Sequence, residues 1–264
     1  MVRGIRILSA AALLAAVAPT TASAATLGDL GLSAEQLAAI RSQAAGGRTS
    51  APGITFGSPA AFGAGWGAIG FGVGGTTLPD NAGDDDYDGA ASVVFGLGNA
   101  ADYVALETVV TAVSLRESFG DDGNVGFKLH TQLPGRMAVG VGVENTMRWG
   151  RPKDAGTESS HYVVATKFVD WGSMPVAVNL GLGDERFNDP GDSGVNLFGG
   201  LALGFAAGWS GIADWSGNTL NLGVSAAPLP RTPLTFTAGV TNVTERFDAD
   251  SEFAAGIGYT VLFK

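Results

Sequence analysis

Ala138-Val-Gly-Val-Gly-Val-Glu144 sets Val139, Val141 and Val143 against Ala138, Gly140, Gly142 and Glu144, so one set is bulky and apolar while the other is small or charged. Successive strand side chains point to opposite faces, and this period of two therefore defines a strand with a greasy face and a small-residue face. The pattern recurs. Val176, Val178, Leu180 and Leu182 alternate with Ala177, Asn179, Gly181 and Gly183, and Phe127 and Leu129 alternate with Gly126, Lys128 and His130. Leu220, Leu222 and Val224 alternate in the same way with Asn221, Gly223 and Ser225. A soluble sandwich would carry more Lys, Glu and Thr on its polar face. A face of Gly, Ala and isolated charges fits instead the lumen of a closed antiparallel transmembrane β-barrel whose bulky set meets lipid. The expected barrel occupies residues 62–264 with about twelve strands.

The connections agree with that reading. Long polar connectors fall near residues 76–88, 116–124, 149–160, 184–194 and 241–251. Between them lie short ones at Asn99–Asp102, Leu133–Arg136, Asp170–Pro175, Ala206–Trp209 and Ala227–Pro233. Barrels of the bacterial outer membrane alternate long external loops with short periplasmic turns. Only Ser216-Gly217-Asn218 breaks the rule, being tight where a long loop is due. An even strand count puts both ends of the barrel in the periplasm.

Composition narrows the classes further. The 264 residues include 41 Gly, no Cys and 15% charged residues. Stability must therefore come from hydrogen-bonded strands rather than from disulfides or thiolate metal sites. After an N-terminal apolar stretch, no run long enough for a spanning helix follows. That stretch, Ile7 to Val17, is preceded by Arg3 and Arg6 and followed by Ala22-Ser23-Ala24, which reads as a cleaved signal peptide over residues 1–24. An uncleaved anchor is the alternative, although the stretch falls short of the roughly 20 residues that spanning requires. Removing Arg3 and Arg6 leaves 13 basic residues against 25 acidic ones, a formal charge of -12. Such a surface argues against nucleic acid and anionic lipid as electrostatic partners.

Residues 25–61 differ in kind. Ser33 as N-cap, Gln36 completing a capping box and Leu32 packing on Leu37 predict a helix running to about Ala45 and stopping at Gly46-Gly47. A Ser/Pro/Gly linker follows from Thr49 to Pro59. The helix reads as a periplasmic appendage, with a lumen plug and an autotransporter pore helix as alternatives.

Aromatic residues near expected strand ends, Trp149, Tyr162, Trp171, Trp209, Trp215 and Tyr259, suit two interfacial girdles. At the end of the chain Gly258, Val261 and Phe263 are spaced as in the signal read by the barrel assembly machinery, with departures at Gly256 and Lys264.

Several stretches carry a family likeness. They are Gly96-Leu-Gly-Asn-Ala-Ala-Asp-Tyr-Val-Ala-Leu-Glu107, Lys128-Leu-His130, Ala138 to Asn145, Leu180 to Gly183 with Arg186-Phe187, and Ala213 to Gly223 running into Pro228. As a set, the region from about Ser58 to Phe263 resembles a family of uncharacterised outer-membrane barrel proteins familiar from cyanobacteria and their relatives. The resemblance implies the barrel fold and an outer-membrane location, and it implies no activity. Asp214-Trp215-x-Gly217 followed by Asn221-x-Gly223 also looks like a hairpin found in barrels linked to exopolysaccharide export.

Strand phase places Glu107, Lys128, His130, Glu144, Arg148, Lys167 and Asp214 on the luminal face. Mixed charges there either line an aqueous pore or pair across strands and close it, and twelve strands do not decide between the two. The expected function is a porin-like channel or transport-associated barrel for cations or small hydrophilic solutes, with a closed structural or assembly barrel linked to envelope exopolysaccharide as the alternative and an outer-membrane lipid-modifying enzyme as a third reading. Catalysis is not expected. His161 lies beside Ser159 and Ser160, but neighbouring residues face opposite ways, and a nucleophile must reach its base. No G-x-S-x-G elbow occurs. Asp84, Asp86, Asp88 and Gly89 match the front of an EF-hand loop, but the twelfth position is Phe95, so a solvated acidic loop is expected and no metal or cofactor. Outer-membrane lipid and the assembly machinery are the expected partners.

Overall fold

The computed structural model describes residues 51–77, 87–113, 119–150, 158–229 and 232–263. Twelve antiparallel strands form one closed barrel. In chain order they are β1 Ala68–Thr77, β2 Tyr87–Gly98, β3 Ala105–Val113, β4 Gly123–Leu133, β5 Met137–Trp149 and β6 Ser160–Trp171. They continue as β7 Met174–Gly183, β8 Asn196–Ala206, β9 Trp209–Trp215, β10 Leu220–Ala226, β11 Leu234–Thr241 and β12 Glu252–Leu262. Every strand pairs with its neighbours in sequence, and β1 closes on β12 with Ala68 opposite Leu262 and Thr76 opposite Ala254. Closure leaves no strand edge unpaired.

Both ends of the barrel lie at one rim, here termed the terminal rim, together with the short turns after Gly98, Leu133, Trp171, Ala206 and Ala226. The opposite loop rim carries the longer connections and also the tight turn at Ser216–Asn218. The expected helix, the signal segment and Asp84 and Asp86 lie outside the described residues.

Alternation along the strands separates the two faces. Leu129, Val141, Leu180, Leu182, Leu222 and Val224 are exposed on the outer wall, whereas His130, Ala138, Ala177, Asn179 and Asn221 are buried inside. Inward glycines make room for rings. A Cβ at Gly142, Gly181, Gly183, Gly223 or Gly239 would come within 2.1 to 3.0 Å of the ring of Tyr162, Phe198, Phe187 or Phe56. The interior is therefore packed, with Phe62, Phe187, Phe198, Tyr162 and Val164 in one apolar cluster. Phe187 stacks on Phe198 with centroids 4.5 Å apart.

Candidate functional site in the barrel lumen

What fills the lumen is the chain's own segment Ala51 to Gly65, which the sequence marks as a linker for most of its length. That expectation is corrected: the segment runs inside the barrel. Its main chain is bonded in turn by side chains of the wall. Thr235 of β11 donates to the Ala51 carbonyl (3.2 Å), and at Gly53 the Ser210 hydroxyl donates to the carbonyl (2.6 Å) while Ser225 accepts from the amide (2.7 Å). All three wall residues stand near the terminal rim.

The segment then rises towards the loop rim. Asp214 accepts from the amides of Phe56 (3.3 Å) and Ser58 (2.7 Å) and from the Ser58 hydroxyl (2.5 Å). Asn179 donates to the Ser58 hydroxyl and to the Pro59 carbonyl. From that apex the chain descends along the other side. The Ala61 amide donates to Thr166 (2.8 Å), Lys128 donates to the carbonyls of Ala60 (3.0 Å) and Phe62 (2.9 Å), and Glu107 accepts from the Ala64 amide (2.6 Å). His130 Nε2 lies 3.2 Å from the Ala64 carbonyl, and the Trp66 amide donates to Gly98 back at the terminal rim. The segment is thus an arch with both feet at one rim.

Small residues are what permit it. A Cβ at Gly96 of β2 would meet the Ala64 carbonyl at 2.2 Å, and one at Gly63 would meet the Glu107 carboxylate at 2.6 Å. Proline and alanine add little bulk, and the extended main chain keeps its polar groups outward, where a wall without regular partners has to satisfy them.

A lid holds the apex from the loop rim. The connection between β7 and β8 forms a 3-10 turn, Glu185–Phe187, that turns Arg186 inward. Its guanidinium donates to the Gly57 carbonyl at 3.1 Å and forms a two-pronged pair with Glu144. Asn218 donates to the carbonyls of Arg186 (3.2 Å) and Asn188 (3.0 Å). Arg246 in turn donates to the Asn218 carbonyl and pairs with Asp189 at 2.9 Å. The turn at Ser216–Asn218 is short because it nests against this lid: a Cβ at Gly217 would lie 2.4 Å from the Phe187 carbonyl. Glu185, on the outside of the lid, has its carboxyl raised above the ordinary range by desolvation and then by the charges of Glu158 and Asp184.

The sequence-derived luminal residues divide as follows. Glu107, Lys128, His130 and Asp214 are buried and hold the arch, with Lys128 and Glu107 ion-paired at 2.8 Å. Glu144 pairs with Arg186 beneath the lid. Arg148 lies opposite Asn124 on the inward phase, and its Nη1 is buried with no hydrogen-bond partner among the described residues. Lys167 is the exception. On β6 the buried positions are Ser160, Tyr162, Val164 and Thr166, which puts Lys167 on the outer wall. Both faces of β6 mix bulky apolar and polar residues, Tyr162 and Val164 with Ser160 and Thr166 inward and Val163 and Val169 with His161 and Lys167 outward, so the strand shows no contrast from which to set its phase. For the same reason Tyr162 is an interior residue and not part of a girdle. Thr166, Asn179, Ser210, Ser225 and Arg186 carry no signal in the sequence beyond strand phase, and Arg186 lies outside any strand.

His161 is exposed on the outer face and pairs with Asp184 at 3.1 Å, while Ser160 faces inward, its hydroxyl accepting from the Arg186 amide. Ser159 donates to the Asn145 carbonyl. No serine is bonded to His161 among the described residues.

No protein-family model matches the chain, and no curated protein matches it.

Proposed function

We propose that this chain is an outer-membrane β-barrel of a bacterial envelope that is closed at rest, serving a structural or assembly role. The outer wall supports membrane placement, since it is apolar along its strands and carries exposed aromatics at the terminal rim, among them Tyr103, Trp171, Trp209 and Phe263. The observation that carries the closed state is the arch, whose main chain is bonded by wall side chains from β11 round to β3. A permanently open porin needs a lumen that its own chain leaves free.

A second reading, a channel that conducts once the arch leaves, is favoured by one feature. Glu107 pairs with Lys128, and Glu144 with Arg186, without any arch residue between them, so departure of the arch would not strand those four charges. Planar-bilayer recording tests both readings. The intact barrel is expected to give no steady open-channel current, and a steady current from it would overturn the closed state. A variant lacking residues 51–65 that folds and conducts would establish the second reading, and one that folds without conducting would support the first.

A further inference from the structure

Lys167 stands apart from the other described cations. Lys128, Arg136, Arg186 and Arg246 are each paired with a carboxylate, and Arg148 is turned inward. Lys167 is exposed on the outer wall and makes no hydrogen bond or ion pair among the described residues. Its cross-strand neighbours are Met137 and Val178. Asp170, three residues further along β6, is taken by Arg136 through bonds of 2.9 and 2.8 Å.

Two residues further from the rim the wall sinks. Ala165 has only a methyl group where its paired neighbours are Val139 and Leu180, and around it Leu129, Val141, Val163 and Leu197 border an apolar groove of about 540 Å³. Lys167 stands on the same face of β6 two residues beyond Ala165, on the terminal-rim side of the groove. Lys167 lies four residues before Trp171, or about 13 Å along the strand. That is near enough for a lysine stem to carry its charge towards a headgroup layer at the aromatic residues.

We infer that this part of the wall is a binding site for one anionic phospholipid, an acyl chain lying over Ala165 and the phosphate pairing with Lys167. An apolar groove alone would accept any hydrocarbon. The net charge of -12 disfavours anionic lipid over the surface as a whole, and here the lone cation supplies a local charge complementarity that selects an anionic headgroup at this one place. The inference rests on the membrane placement proposed above.

The test uses the full chain in vesicles of phosphatidylcholine with one-fifth phosphatidylglycerol. Insertion is scored first by heat-modifiable migration, and lipids retained after detergent release are then counted by native mass spectrometry. The expected result is one retained phosphatidylglycerol in preference to phosphatidylcholine. Retention should fall at least fivefold in Lys167→Gln, which removes the charge, and in Ala165→Leu, which fills the groove, with insertion unchanged in both. Equal retention of the two lipids by an inserted barrel, unchanged retention in both variants, or a dimer covering this face would overturn the site while leaving membrane placement intact. Failure of the wild-type chain to insert into any vesicle would instead overturn the placement, and the site with it.

Discussion

Asp214 is fully buried, and it accepts hydrogen bonds from the Phe56 and Ser58 amides and from the Ser58 hydroxyl, all in the arch. A buried carboxylate is tolerated only where donors surround it, and here the donors belong to residues some 150 positions away in the chain. Replacing it with alanine leaves the Ser58 amide without its acceptor, which costs about 1–3 kcal/mol for a stranded buried group. Asp214→Ala is therefore expected to loosen the arch and to lower the temperature at which the folded band converts to the unfolded one, while Asp214→Asn, which keeps an acceptor oxygen, loses less. Equal midpoints for wild type and Asp214→Ala would show that the arch is not held there. The placing of Asp214 inside the barrel was legible from strand phase, between the outward Ala213 and Trp215. What it binds was not, because Ser58 and Phe56 lie in a stretch whose composition is that of a solvated linker.

Among the elements, the strands and connectors were the most readable part of the sequence. Val139, Val141 and Val143, or Leu180 and Leu182, face one way because the bulk stands on the apolar outer wall while the arch demands small residues inside. That contrast fails on β6, where Tyr162 and Val164 meet an apolar interior and Val163 and Val169 an apolar exterior, and Lys167 was misassigned there for that reason. The lid was equally hidden, since Arg186 and Arg246 sit in connections that have no period. Arg246 joins the loops after β7, β9 and β11 through Asn218 and Asp189. A half-exposed pair of this kind contributes little to global stability, about 0–1 kcal/mol. Arg246→Ala is accordingly expected to speed limited proteolysis within residues 184–194 severalfold while leaving the heat-modified transition of the barrel in place. Unchanged cleavage would show that the loops do not depend on this latch.

For the molecule as a whole, closure of β1 on β12 means that no strand can peel away without breaking ladders on both sides. Unfolding is thus expected to be a single step: the detergent-extracted chain should migrate as a compact band until heated and then convert to the full-length position without intermediates. A gradual shift through several bands would contradict a closed sheet. The arch also bears on what the lumen will accept. It is joined to β1 through Trp66 and Gly67, so a strand of the wall and the occupant of the interior are tethered together. A tethered ligand acts at an effective concentration of order millimolar. Any free peptide or sugar chain arriving from solution competes against that figure, and weak soluble binders are shut out by covalent connectivity alone.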